Sequence, residues 1–504
     1  LKHQKRNCKQ LKMDVLKINV AKRVAVSIAL FLFCVLPSGA QVSWGPAVDV
    51  AAASFGNNRP RIVTAANGAP LIIWGNSAKV MFTRWNGAGF STPVQLNPVN
   101  VDVAEASWMG PDIAAHGDTV YVVYKQKPES DTANHIWCVR SFDGGLSFDA
   151  PVRVDFIADS ISRFPTVTTD EMGNPIVGFM KFAPSFGEAR WVVTKSTDFG
   201  MSFMPDVLAS GWSSATSEVC DCCPGQITNA DGTTVMLYRD NNSDIRDCWA
   251  GISNDNGGSF TAGINIDQQN WIIAGCPSTG PDGVIIGDTL YSTFMSAGSG
   301  NIRVYYSKSS VSSMTGASGI QITNNFPGLA QQNFPRIANA GNSMAIVWMQ
   351  VADATSQLAL SFTENIANGL PQTFETVATD NVVNGDVALI PGEVFAVWQD
   401  DVGVVKFRSG SYSLPTFVTS EVSTSNLHVY PNPAENCWII SGNSLHGDSK
   451  LELLDMQGKV IYARHIAGQS SLNHKIENAH LASGSYFIKV TDKEKQFSIK
   501  CLKQ

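Results

Sequence analysis

Two groups of side chains have types and spacings that could do chemistry. The first is a set of arginines and carboxylates beside short, proline-opened apolar runs. Arg59 and Arg61 flank Pro60, Asp112 follows Pro111, Arg163 stands two residues before Pro165, and Arg336 follows Pro335. Glu218, Arg239, Asp240, Asp244, Arg246 and Asp247 lie close together between them. Planar guanidinium forks match carboxylates bidentately. Arginines of this group could therefore meet an anionic ligand group, with Arg163, Asp240 and Asp244 among the ligand contacts. The second group is Cys220, Cys222, Cys223, Cys248 and Cys276, where Cys223 and Cys276 each precede a proline. Disulfides are the first expectation for these sulfurs, and a soft-metal site for Zn or Cu is the alternative. Their spacing matches no zinc module, so no cofactor is otherwise expected.

A repeat positions the first group. Proline opens an apolar strand at Arg59-Pro60-Arg61-Ile62, Gly110-Pro111-Asp112-Ile113, Phe164-Pro165-Thr166-Val167, Cys223-Pro224-Gly225, Cys276-Pro277-Ser278 and Phe334-Pro335-Arg336-Ile337. A seventh copy, Gly385-Asp386-Val387, lacks the proline. In each copy a second strand follows and ends in an aromatic: Trp74, Tyr124, Phe179, Tyr238, Phe294, Trp348 and Trp398. Their regularity reads as packing between repeats rather than sugar stacking. Third strands such as Ile136-Trp137-Cys138-Val139 come next, then fourth strands such as Pro93-Val94-Gln95-Leu96. Four antiparallel strands recurring every 50 to 60 residues predict an all-β fold, a propeller of seven blades, or six if one copy is misread. The last copy lacks its fourth strand. Residues 42–50 carry that pattern and are expected to pair near residues 404–408, closing an open edge. In a propeller, ligands meet the face built from the starts of the innermost strands, where the first group falls.

The first 40 residues differ from the rest: eight Lys/Arg, one acid, an apolar run over 24–36, then Ser38-Gly39-Ala40. This is the pattern of a cleaved export signal, and the run is too short to span a bilayer. Without those eight basic residues and one acid, the totals of 36 and 43 become 28 and 42, a net charge of −14. That balance excludes non-specific binding to nucleic acid or anionic membrane and offers anions no long-range steering. Eight of the ten cysteines remain, in an oxidising setting that favours disulfides. A monomer is expected, and Cys138, in mid-strand, reads as simply buried.

Three copies carry one turn between the third and fourth strands: Ser141-Phe142-Asp143-Gly144-Gly145-Leu146-Ser147-Phe148, Ser196-Thr197-Asp198-Phe199-Gly200-Met201-Ser202-Phe203 and Ser253-Asn254-Asp255-Asn256-Gly257-Gly258-Ser259-Phe260. A short Asp can accept the amides of such a turn, glycine supplies positive φ, and the last aromatic plugs the gap between layers. These turns resemble the Asp-box of the sialidase (bacterial neuraminidase repeat) superfamily. The resemblance covers residues 41–412 and implies that Asp143, Asp198 and Asp255 are structural, on the face opposite any active site. It also implies a three-arginine grip on a sugar carboxylate, with Arg61, Arg239 and Arg336 as the candidates, and a Tyr nucleophile assisted by a carboxylate. Tyr238 or Tyr291, with Glu218 or Asp112, would be that set. Arg59-Pro60-Arg61-Ile62 holds the family's Arg-Ile-Pro pieces in another order, and the family ring normally has six blades. The reading is a propeller that binds glycans or another extracellular ligand, with an exo-acting glycoside hydrolase as the alternative.

Residues 413–426 are rich in Ser and Thr and read as a linker. Residues 427–504 predict a small Ig-like β-sandwich with Tyr430-Pro431-Asn432-Pro433, Asp455-Met456-Gln457-Gly458-Lys459 and Leu481-Ala482-Ser483-Gly484-Ser485-Tyr486 in order. That order is similar to the type IX secretion sorting domain. It implies handling by the type IX machinery of a Gram-negative bacterium, followed by release or attachment at the cell surface. Cys437 and Cys501 fall on the first and last strands of this domain and could pair.

Overall fold

Strands in this chain come in two kinds, and burial separates them. Runs such as Thr119–Lys125 and Ser343–Ala352 are mostly apolar and buried on both sides, whereas outer strands such as Val94–Gln95 are short and half exposed. The structure, a computed structural model, describes residues 42–214, 216–414, 428–443, 448–455, 458–467, 471–491 and 496–504. The expected export signal and most of the linker lie outside these residues. The chain divides into two compact units, residues 1–415 and 416–504. Among the described residues no helix is long and apolar enough to cross a membrane.

The described strands of the first unit form seven antiparallel sheets of four or five strands. Their innermost strands are Asn57–Thr64, Asp112–His116, Ile161–Thr169, Gln226–Ala230, Asp282–Ile286, Leu329–Ala340 and Val382–Ile390. Each of these neighbours the next, and the last neighbours the first. The seventh sheet takes its outer strands from the start of the unit: Ser43–Trp44 and Val48–Ala51 pair with Val405–Ser411, in the registers Ser43↔Ser411 and Val48↔Phe407. Glu375 fixes this segment by accepting the Val42 amide (3.1 Å) and the Trp44 indole N–H (3.2 Å). All seven strand-ending aromatics are buried between sheets, as their spacing predicts.

The proline motif is a β-bulge in three of the seven sheets. Arg59, Phe164 and Phe334 have φ of 49°, 52° and 48°, and the ladder slips between Asn58 and Arg61, Arg163 and Thr166, and Asn333 and Arg336. Proline has no N–H to give the ladder, so a bulge is where an inner strand tolerates it. The strand therefore begins before the proline rather than at it. In the fifth sheet the expected copy is displaced: Cys276-Pro277-Ser278 precedes the innermost strand, which opens at Asp282 after a second proline, Pro281.

The three Asp turns are alike. Asp143 Oδ1 accepts the Leu146 and Ser147 amides, both at 2.9 Å, and Ser141 Oγ donates to it at 2.8 Å. Asp198 and Asp255 hold Ser202 and Ser259 through the same amide bond at 2.9 Å. Hydrogen bonds from Ser147 and Ser202 pull Asp143 and Asp198 down to about 2. By ladder direction these turns lie at the hairpin ends of the innermost strands, away from Arg61 and Arg336. Asp198→Ala is expected to cost about 1 kcal/mol after allowing for solvent screening, read as a lower urea midpoint with ligand binding unchanged.

The second unit, taken by itself, has a three-stranded sheet (His428–Tyr430, Cys437–Asn443, Ser471–Glu477) facing a four-stranded one (Val460–Ile466, Ser449–Leu454, Gly484–Thr491, Gln496–Lys503). Trp438, Ile440 and Ile476 from one sheet and Leu451, Ile488 and Val490 from the other share one apolar core. Each sequence motif has a structural use. Asn432 Oδ1 accepts the Leu502 amide (2.8 Å) and Asn432 Nδ2 donates to the Lys500 carbonyl (3.0 Å). Asp455 Oδ1 accepts the Lys459 amide (2.9 Å), and the Tyr486 hydroxyl donates to the Ala482 carbonyl (2.8 Å). Cys437 and Cys501 do not pair. They lie on different sheets, Cys501 buried and Cys437 half-buried.

Candidate functional site

All seven innermost strands line one cavity of about 300 Å³. Asp112, Gln226, Asp282, Arg336 and Asp386 stand at its polar end together with Arg61. Arg336 holds the centre of this ring. Its Nε lies 3.0 Å from Asp386 Oδ1 and 3.3 Å from Asp282 Oδ2, and its Nη1 donates to Gln226 Oε1 at 3.0 Å. Gln226 Nε2 in turn donates to Asp112 Oδ2 at 3.3 Å. The bulge before Pro335 and the one before Pro60 bring Arg336 and Arg61 to this end.

The carboxylates also stitch neighbouring sheets. Asp112, Asp282 and Asp386 accept the amides of Val167, Ile337 and Ile62, each on the following innermost strand, at 3.1, 2.9 and 3.0 Å. Thr166 fills the same role for Ile227 at 3.3 Å. Burial pulls Arg336 down, but Asp282 and Asp386 together outweigh it and its pKa rises. Arg61 is different. Burial lowers it, Arg59 and Arg336 add like-charge repulsion, and its Nη1 donates only to neutral oxygens, Asn384 Oδ1 at 3.0 Å and the Pro60 carbonyl at 2.7 Å. Its Nε has no partner among the described residues.

The remaining candidates stand apart from this cavity. Arg239 is fully buried and its guanidinium donates to the carbonyls of Thr279, Arg246 and Met295 at 3.0, 2.6 and 2.6 Å, beneath the Trp271 ring. The three arginines therefore do not converge. Tyr238 is fully buried in an apolar cluster with Trp191 and Phe182, and burial raises its pKa. Tyr291 is buried and stacked on Tyr306 at 6.2 Å. Glu218 is exposed and accepts the Glu188 amide. Arg163 pairs with Glu129 at 3.0 Å and covers Phe164. Asp240 is buried, which pushes it up to about 6, and Asp244 is exposed 3.7 Å from Arg246. Asp282, Gln226 and Asp386 were not among the residues expected to bind. Gly280-Pro281-Asp282 repeats Gly110-Pro111-Asp112, and that signal was present in the sequence.

Four of the five expected cysteines meet. Disulfides join Cys220 to Cys223 and Cys222 to Cys276, with Cα separations of 5.4 and 6.3 Å. Cys248 is not part of the group: it is a free thiol in the apolar core between the fourth and fifth sheets, and burial raises its pKa. Cys138 is buried and free, as its mid-strand place suggests.

Residues 428–504 match the family of secretion system C-terminal sorting domains. This tail indicates a protein that is secreted or attached to the cell surface. Among solved structures it is similar to a protein of unknown function from Dyadobacter fermentans, at 10% identity and TM-score 0.46 over 75% of this chain and 100% of that one. It is also similar to a family PL25 ulvan lyase, at 9% identity and TM-score 0.48 over 74% of this chain and 94% of that one. A third likeness is to PorZ, a surface component of the type IX system of Porphyromonas gingivalis, at 11% identity and TM-score 0.36 over 91% and 61%. No curated protein matches the sequence.

Proposed function

We propose that the seven sheets are the blades of a sialidase-like β-propeller, followed by an Ig-like sorting domain, and that the propeller binds an acidic extracellular glycan without cleaving it. The observation that supports binding is Arg61, a buried cation in the cavity whose hydrogen bonds go to neutral oxygens while Arg336 is already held by two carboxylates. A ligand carboxylate or sulfate at Arg61 would supply the charge partner it lacks. The separation of Tyr238, Tyr291, Glu218 and Arg239 from the cavity weighs against the hydrolase reading.

Titration calorimetry of the full chain against sialylated and uronate-bearing oligosaccharides, with lactose as the neutral control, tests this. At least one acidic sugar should bind and be recovered intact, lactose should not bind, and Arg61→Ala should weaken binding about tenfold or more. Release of a terminal sugar would instead establish the hydrolase. Equal binding by Arg61→Ala, or no binding across the panel, would remove Arg61 as the ligand contact.

A further inference from the structure

The four clustered sulfurs are closer than two disulfides require. Each disulfide needs only its own two sulfurs to be adjacent, yet all four Sγ atoms of Cys220, Cys222, Cys223 and Cys276 lie within 4.8 Å of one another. The non-bonded pair Cys220 and Cys222 is 3.7 Å apart. Four thiolates around a tetrahedral Zn²⁺ at ~2.3 Å have sulfur–sulfur edges of about 3.8 Å. The chain holds this arrangement from two sides. Cys220 and Cys223 are buried in a turn closed by the Cys223 amide on the Cys220 carbonyl (3.2 Å) and tied to the fourth sheet by the Cys220 amide on the Arg239 carbonyl (2.9 Å). Cys276 arrives on the segment leading to the fifth sheet. Gly280 permits that approach, because a Cβ there would lie 1.7 Å from the Pro224 carbonyl oxygen. Ser278 Oγ lies 3.4 Å from Cys276 Sγ, placed to donate to a thiolate, and Arg163 reaches the Asp221 carbonyl of the same turn at 3.4 Å.

We propose that the reduced form of this cluster is a metal site: a tetrathiolate for a borderline-soft divalent cation of the Zn²⁺ type, built on the seam between the fourth and fifth sheets. The reduced, metal-bound state forms from the disulfide state in balance. Two molecules of a trialkylphosphine, taking two oxygens from water, become phosphine oxides and convert the two disulfides into four thiols. The cation then forms four metal–sulfur bonds and displaces four protons to solvent, leaving a complex of net charge −2. Affinity therefore rises with pH as thiols yield protons more readily. Ser278 would hold the most exposed sulfur in place as an outer-shell donor.

The experiment uses the full chain, reduced anaerobically with phosphine in the presence or absence of Zn²⁺. Zn²⁺ should bind at one per chain and protect Cys222 and Cys276 from alkylation. Substituted Co²⁺ should show the charge-transfer and d–d bands of a tetrahedral thiolate complex. Cys222→Ser and Cys276→Ser should each lower Zn²⁺ affinity by more than the ~10–100-fold typical of losing an outer-shell partner, and Cys437→Ser should leave it unchanged. Substoichiometric Zn²⁺ in a reduced chain with native circular dichroism would overturn the proposal. So would wild-type affinity in Cys276→Ser, or unfolding on reduction whether or not Zn²⁺ is present.

Discussion

Deleting residues 428–504 is expected to abolish surface and medium localisation while the first unit accumulates, folded, in the periplasm. The match of these residues to secretion sorting domains and the compactness of the first unit motivate this outcome. A single core substitution should reproduce it. Trp438 is fully buried and packs against Tyr486 at 5.7 Å, inside a core drawn from the seven described strands of this unit. Trp438→Ala should cost ~3–5 kcal/mol, comparable to the whole stability of so small a domain. Immunoblots of medium, surface and periplasmic fractions read the result. Export of the truncated chain at the full-length level would refute the sorting role of the tail.

The features legible in the sequence were those whose hydrogen bonds close within a few residues. The Asp143, Asp198 and Asp255 turns use partners no more than four positions away, so residue types at fixed offsets carried the geometry. Two motifs of the tail, Asp455 to Lys459 and Ala482 to Tyr486, were legible for the same reason, whereas Asn432 bonds to Lys500 and Leu502 far along the chain. The strand-ending aromatics were legible because they recur once per sheet. The binding end was less legible, because its partners lie 50 to 324 residues apart and depend on register. Arg61 and Arg239 look alike in composition. One follows a bulge on an innermost strand, whereas the other sits on a second strand opposite Cys248, where three backbone carbonyls consume it. Cys248 was grouped with its neighbours in sequence, yet the strand Cys248–Ser253 carries it into the apolar core. In the fifth sheet two nearby prolines, Pro277 and Pro281, fit one place in the repeat, and only Gly280-Pro281-Asp282 leads directly into the innermost strand.

Arg336→Met should be the most damaging single change in the first unit. It removes the only side-chain cation paired with Asp282 and Asp386 among the described residues and takes away the donor to Gln226 that links the ring to Asp112. Breaking a buried pair from one side leaves an uncompensated charge and costs ~3–5 kcal/mol. The deficit should depend on pH in a defined sense. Burial already holds Asp282 above the ordinary carboxylate value against the pull of Arg336, and losing the arginine raises it further. A carboxyl whose folded pKa exceeds its unfolded value binds more protons when folded, so stability falls as pH rises between the two. The Arg336→Met deficit should thus be smallest below pH ~3, under the ordinary Asp value of ~3.9, where Asp282 is protonated in both states, and grow through neutral pH. Urea midpoints of wild type and variant measured across that range would show it. The triple variant Arg336→Met, Asp282→Asn, Asp386→Asn, which removes all three charges, should recover much of the loss at neutral pH and flatten the pH profile. A deficit that stays constant with pH, or a triple variant no more stable than Arg336→Met alone, would mean that Arg336 acts through packing and not as the counter-ion of this ring.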